Sequence, residues 1–467
     1  MRPDLLGKRV LVVGLGLTGR SMVRWLVARG AVVSAADSRA EPPGLAELRA
    51  AFPQVPVTTG PFRGENFADV DMLAVSPGVP LAEPGIARAV RAGVPVAGDV
   101  ELFALALEDV AARLGRPRPK VLGITGSNGK STVTELAGAL CRAAGLETLV
   151  AGNIGLPVLD ALSEIEAGQR AVPEAVVLEL SSFQLETTSN LRADAAVVLN
   201  LSEDHLDRYD GMPGYAAAKA RIFLGAKTCI VNRDDAWTTG MVPSGVTPWT
   251  FGRTAAAGAH AWGLLRDGDD DWLTEGAHRL LPARRLKLAG LHNAENALAA
   301  LALCRAIGLE GERLVSALVE FRGLPHRVEL VTEWAGRRFY DDSKGTNVGA
   351  TVAALRGMRE KVVLIAGGDG KGQDFTPLGP AAAAAARAVV LIGRDRELIA
   401  EALAPHGVAM SRAADMDGAV SQSFDLSRHG DAILLSPACA SFDMFRNYEH
   451  RAEAFRTAVS RLQERRA

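Results

Sequence analysis

The sequence predicts a three-domain α/β protein whose domains are each built on a largely parallel sheet. Three observations predict it. At 467 residues the chain exceeds what a single hydrophobic core usually holds. Two glycine-rich loops, one over residues 14–19 and one over residues 123–132, each follow an apolar run and lead into a helical spacing. A third succession of apolar runs and glycine loops fills the chain beyond residue 323. Strands alternating with helices at this spacing imply parallel pairing.

Composition narrows the function classes. Hydrophobic residues make up 48% and charged residues 23%, as in ordinary globular proteins. A formal net charge of −2 gives no general attraction for nucleic acid, so phosphate recognition should be local. Cys141, Cys229, Cys304 and Cys439 are far apart and form no C-x-x-C pair, which suits reduced thiols. The first apolar run is broken by Gly14 and Gly16 and followed by Arg20 and Arg24. It therefore does not read as a signal peptide, and no apolar run is long enough for a bilayer. The expectation is a cytoplasmic enzyme with no membrane partner.

In the first domain, Gly14-Leu-Gly-Leu-Thr-Gly19 links a strand to a helix over residues 21–29, and Asp37 ends the next apolar run. This is a Rossmann-like fingerprint, whose mechanics serve a dinucleotide or any other diphosphate held at a helix N-terminus. Further βα pairs follow, with Ser76-Pro-Gly78 closing one strand. A nicotinamide-dependent oxidoreductase would leave the next loop without a role.

That loop, Gly126-Ser-Asn-Gly-Lys-Ser-Thr132, follows the apolar Val121, Leu122 and Ile124 and precedes Val133, Leu136, Ala137 and Leu140. Glycines let several N–H groups face one point, Lys130 can reach a terminal phosphate and the Ser131 hydroxyl can ligate Mg²⁺. The general pattern has glycine where Ile124 stands. Glu179 ends a buried run and should share the sheet edge of the phosphate loop, where a carboxylate can hold Mg²⁺. Asn153 lies in a Gly-rich turn, and His205 lies among carboxylates in the stretch from Asn200 to Asp207. Lys219 heads an apolar helix and from spacing alone reads as a surface lysine. Trp237, Trp249, Trp262 and Trp272 read as packing residues. Asn293 and Asn296 open a helix one turn apart and can grip a nucleoside; capping is the alternative for Asn293.

Ile124-Thr-Gly-Ser-Asn-Gly-Lys-Ser-Thr, Glu179-Leu-Ser-Ser-Phe-Gln, His205 and His292-Asn-x-x-Asn296 together resemble the Mur ligases. These are ATP-dependent amino-acid ligases of bacterial cell-wall synthesis, and the displaced glycine fits their own loop variant. Asp342-Ser-Lys344 and Ser436-Pro-Ala-Cys-Ala-Ser441 extend the resemblance nearly end to end, weakest over about residues 235–285. It implies a UDP-binding Rossmann-like domain over 1–98, a P-loop ATP-binding domain over 99–323 and an amino-acid-binding Rossmann-like domain over 324–467. The implied activity is addition of D-glutamate to UDP-N-acetylmuramoyl-L-alanine by a monomer.

By this resemblance Leu17, Thr18, Asp37, Ser38, Arg39, Ser76, Gly78 and Asn153 would hold the UDP substrate. Gly126, Ser127, Asn128, Gly129, Lys130, Ser131, Thr132, Asn293, Asn296, Arg327, Asp342 and Lys344 would surround ATP. Ser131, Glu179, His205 and a carbamylated Lys219 would hold two Mg²⁺ ions. Lys371, Ser441, Phe442 and Tyr448 would receive D-glutamate. An acyl-phosphate intermediate must be kept from water, which implies closure of the third domain about hinges near residues 98–101 and 322–325.

Overall fold

A computed structural model describes residues 5–206, 208–268, 270–288 and 290–466. The first sheet comprises β1 (Arg9–Val13), β2 (Val32–Asp37), β3 (Val57–Thr59), β4 (Met72–Val75) and β5 (Val96–Ala97), in the order β3-β2-β1-β4-β5. All its pairings are parallel. The helix Leu17–Ala28 starts at Leu17, four residues before the expected 21, because the glycine loop is so tight. A Cβ at Gly19 would lie 1.7 Å from the Gly14 carbonyl oxygen, so only glycine allows this approach of helix to strand.

The second sheet contains β6 (Lys120–Thr125), β7 (Thr148–Gly152), β8 (Ala175–Glu179), β9 (Ala195–Val198), β10 (Thr228–Asn232) and β11 (Trp249–Phe251). It continues through β12 (Ala261–Asp267), β13 (Asp270–Glu275) and β14 (His278–Pro282), in the order β14-β13-β12-β11-β10-β9-β6-β8-β7. Strands β6 to β12 pair parallel, and β12, β13 and β14 form an antiparallel extension. That extension fills the region where sequence signal was poorest. Trp262 is buried there and Trp249 stacks on His260, but Trp237 is 42% exposed and is not a core residue. Ile124 is wholly buried in β6, registered against Glu179 and Val197, so the glycine that the general phosphate-loop pattern wants would only weaken a central strand here.

The third sheet consists of β15 (Glu329–Trp334), β16 (Arg337–Asp341), β17 (Val362–Gly367), β18 (Ala386–Ile392), β19 (Met410–Arg412) and β20 (Ala432–Leu435). Its order is β15-β16-β20-β17-β18-β19, parallel except for the β15–β16 hairpin. Ala335 and Gly336 both adopt positive φ, the conformation of a two-residue hairpin turn. All four cysteines are free and buried. Among the described residues no helix is long and apolar enough to cross a membrane.

Candidate active site at the edges of three sheets

Each sheet presents the C-terminal ends of its parallel strands to a cleft, where loops can carry chemistry without disturbing the core. In the central domain, β6 runs into the loop 126–129 and then the helix Lys130–Ala143. Gly129 has φ +83°, and a Cβ there would lie 2.6 Å from Asn296 Oδ1. Glycine therefore lets the helix Leu291–Ala306 bring its amides against the loop. Asn296 Nδ2 donates to Asn293 Oδ1 at 3.1 Å. A cavity of about 420 Å³ opens here, lined among others by Asn128, Gly129, Asn293, Asn296, Arg327 and Asp342.

Lys130 Nζ donates to the carbonyls of Gly126 and Ser127, both at 2.9 Å. Burial pushes its pKa down, while Glu179 and Asp204 act in the opposite sense. Asn200 ties the loop from below: Asn128 N–H donates to Asn200 Oδ1, and Asn200 Nδ2 donates to the Asn128 carbonyl. Arg327, from the start of the third domain, donates from Nη2 to Ser131 Oγ at 2.9 Å.

Glu179, at the end of β8, is 2% exposed. One carboxylate oxygen accepts from Asn153 Nδ2 at 2.9 Å; the other is buried with no hydrogen-bond partner among the described residues. A buried carboxylate oxygen without a donor is costly unless a cation completes it. Lys219 is 1% exposed, which overturns its reading as a surface lysine. Its Nζ donates to the Gly126 carbonyl at 2.9 Å and reaches Thr125 Oγ1 at 3.4 Å. Burial, with Lys130 close by, drives its pKa well below the ordinary lysine value. His205 adopts φ +56°, lies 3.6 Å from Asp204 and has its ring 4.8 Å from that of Phe183. Asp207 lies outside the described residues.

A second cleft of about 310 Å³ opens between the first and central domains. Leu17, Thr18, Ser76, Gly78 and Asn153 all line it, together with Gln184. Asn153 thus touches this cleft and Glu179 at once. Asp37, Ser38 and Arg39 are not part of that lining. The Asp37 carboxylate is occupied internally, accepting from Leu15 N–H at 2.7 Å and from the Arg39 backbone and guanidinium.

In the third domain Asp342 is buried and accepts from Ser436 Oγ at 2.6 Å; burial pushes its carboxyl up to about 7. Lys344 Nζ donates to Tyr448 Oη at 3.1 Å and sits over its ring. A backbone bridge between Asp369 and Ala440 joins the loop bearing Lys371 to the loop bearing Ser441. Ser441 is buried, whereas Phe442 is 74% exposed. Sequence reasoning missed Arg451, which is fully buried and donates to the Ser343 hydroxyl and carbonyl and to the Cys439 carbonyl. It sits within an ordinary charged helix, so nothing local marked it. The cluster of His326, Glu329 and Asp341 is closed by Arg456, which pairs with both carboxylates.

The chain matches three family descriptions in succession: Mur ligase MurD-like, N-terminal domain over residues 8–98; Mur ligase middle domain over 124–304; and Mur ligase, glutamate ligase domain over 326–439. It is 56% identical over 466 residues to UDP-N-acetylmuramoylalanine–D-glutamate ligase of Nitrosospira multiformis, covering 99% of this chain and 98% of that one. It is 57% identical over 470 residues to the enzyme of the same name from Thiobacillus denitrificans, with the same coverage of 99% and 98%. Its fold is similar to that of a MurF crystal structure from Acinetobacter baumannii, with a TM-score of 0.61 at 18% identity over 99% of this chain and 93% of the other. The likeness over nearly the full length of both relatives, in the order of the three sheets, places this chain in the Mur ligase family.

Proposed function

We propose that this chain ligates D-glutamate to UDP-N-acetylmuramoyl-L-alanine with cleavage of ATP to ADP and phosphate, a step of peptidoglycan precursor synthesis. The observation that carries the reading is Asn153, which lines the cleft between the first and central domains while holding the buried Glu179 beside the phosphate loop. A substrate lying along that cleft has its reactive end delivered to a triphosphate. Full-length relatives bearing the name of this ligase support the choice of substrates.

The domains divide at 1–98, 99–323 and 324–467. Leu17, Thr18, Ser76 and Gly78 bind the UDP end, with Asp37 shaping the loop and Ser38 and Arg39 at its rim. ATP lies over residues 126–132, with Asn293, Asn296, Arg327, Asp342 and Lys344 around it. Lys371, Ser441, Phe442 and Tyr448 receive D-glutamate. The protein works as a cytoplasmic monomer.

The donor set fits Mg²⁺. Glu179 offers an unpartnered oxygen, Ser131 a hydroxyl and His205 an imidazole, and two ions would be held by these with Lys219. Mg²⁺ supplies charge neutralisation of the triphosphate when bound. Lys219 joins as a carbamate: burial favours its neutral amine, which adds CO₂ with loss of a proton and gives an anionic oxygen ligand.

The L-alanine carboxylate attacks the γ-phosphorus, and the bond to the ADP oxygen breaks, leaving an acyl phosphate. Lys130 turns from the Gly126 and Ser127 carbonyls to the phosphate and offsets the charge gathered there. The D-glutamate amine then attacks the acyl carbon, phosphate departs with the C–O bond pair, and the amine loses a proton. Closure of the third domain shields the acyl phosphate from water.

Phosphate release from ATP with UDP-N-acetylmuramoyl-L-alanine and amino acids of both hands tests this. Release confined to D-glutamate is expected. Release with another amino acid would move the chain within the family, and none at all would remove the reading.

A further inference from the structure

The turn at residues 76–79 belongs to the first domain, yet a side chain of the central domain holds it. Arg208 is only 11% exposed and donates from Nη1 to the Pro77 carbonyl at 3.2 Å and from Nη2 to the Val79 carbonyl at 3.3 Å. The same Nη2 pairs with Glu186 at 2.7 Å. The guanidinium also covers the Phe183 ring, 4.5 Å from its centroid, and that ring contacts His205.

The Pro77 carbonyl and the Gly78 N–H belong to one peptide group. A cation bonded to the carbonyl oxygen draws electrons through that group and makes its N–H a stronger donor. Gly78 lines the cleft, and its N–H has no hydrogen-bond acceptor among the described residues. The Arg208 guanidinium, its charge shared with Glu186, thus acts on the cleft through a backbone amide without lining the cleft itself. The planar fork suits this position because it serves two carbonyls and a carboxylate together, which a lysine ammonium on a flexible stem does poorly.

We propose that Arg208 is a positioning residue that aims and polarises the Gly78 amide toward the anionic diphosphate of the nucleotide-sugar substrate, while its stack on Phe183 supports His205. The inference rests on the ligase reading above for the identity of that substrate.

The test is calorimetric titration of UDP-N-acetylmuramoyl-L-alanine and, separately, of ATP with Mg²⁺ into wild-type protein, Arg208→Ala and Arg208→Lys. Loss of a charge-assisted bond should weaken nucleotide-sugar binding roughly tenfold to a hundredfold in Arg208→Ala. ATP binding should change by less than about twofold, with Arg208→Lys between wild type and alanine for the sugar nucleotide. Added guanidinium should restore part of the lost affinity in Arg208→Ala but not in wild type, a recovery that general loosening of the fold would not give. Phe183→Leu should lower kcat while leaving nucleotide-sugar affinity near wild type. If Arg208→Ala does not fold, Arg208→Lys carries the comparison. Equal losses for both ligands, or unchanged nucleotide-sugar affinity, would overturn the inference. Failure of the wild-type protein to bind the nucleotide sugar would instead overturn the ligase reading.

Discussion

The first and third domains meet the central domain through different physics. At the first junction one apolar cluster runs through both partners, so that Trp25 and Leu26 share a core with Phe103, Val158, Leu162 and Ile165. Ion pairs Arg24–Asp160 and Arg29–Glu166 flank it. The apolar clusters of the third sheet contain no described residue before Val328. That domain meets the centre through polar contacts such as Arg327–Ser131 and Asn347–Asn128, and through the close approach of Gly357 to Gly290 and His292. A shared core is lost only by unfolding, whereas polar contacts exchange readily for water or ligand. The first junction thus rests on a shared apolar core, and the second on contacts that water can replace. At the expected hinge over 98–101 the chain is closely packed: Glu101 accepts from Ser189 N–H, Asn190 N–H and the Asn190 side chain, and a Cβ at Gly98 would lie 2.2 Å from Thr187 Oγ1.

The most damaging way to break the first junction is to hollow the shared core. Trp25→Ala should cost about 3–5 kcal/mol. Scanning calorimetry should show the transition of the first and central sheets falling together while that of the third sheet holds its temperature. If the third sheet melts earlier as well, the two junctions are not independent.

At the second junction the largest effect should be catalytic. Arg327→Ala removes the cation that crosses to Ser131, and kcat for phosphate release should fall about 10²–10³-fold with little change in melting temperature. A comparable loss of stability would make this contact structural, like those on the other side.

Asp99, the first residue of the helix Asp99–Arg113, gives the central-domain side of the first junction a pH dependence. It is 2% exposed, one oxygen accepts from Gln184 at 3.2 Å and the other has no hydrogen-bond partner among the described residues; burial raises its pKa to about 6. A carboxyl whose folded pKa lies above its unfolded value binds its proton more tightly when folded. Its stabilising contribution is therefore complete at low pH and fades between about pH 4 and 6. Asp99→Asn should match wild type near pH 4 and exceed it by about 2–3 kcal/mol at pH 8, as read from urea unfolding at each pH. An equal offset at both pH values would show that titration of this group is not the cause.

The smallest effect belongs to the rim. Arg24 is 42% exposed on its side chain, so Arg24→Gln should cost under about 1 kcal/mol, shrinking further in high salt. A larger cost would mean that ion pairs share the work with the apolar cluster.

The three sheets were legible because apolar runs, glycine loops and helical spacings are local signals. The 329–341 hairpin turns at Ala335-Gly336, and the glycine loop at 126–129 lies between a strand and a helix as its context in the sequence suggests. The antiparallel extension β12 to β14 was not legible, since its strands are short, polar at their ends and stabilised mainly by pairing with one another. Lys219 was misread from spacing because burial depends on what lies across the helix, here residues 125 and 126 from a strand far away in the chain. Arg208 and Arg451 carried no signal, since their partners are carbonyls and carboxylates of distant loops.

By itself the sequence determined where backbone must turn tightly, which helices could open on a phosphate, and which side chains could bear charge at strand ends. Those properties arise from residues within a few positions of one another. The tertiary structure alone decided which charges are buried, which oxygen of Glu179 is left without a donor, and which domains share a core. Desolvation and packing are sums over neighbours brought together by folding, and no short stretch of chain contains them.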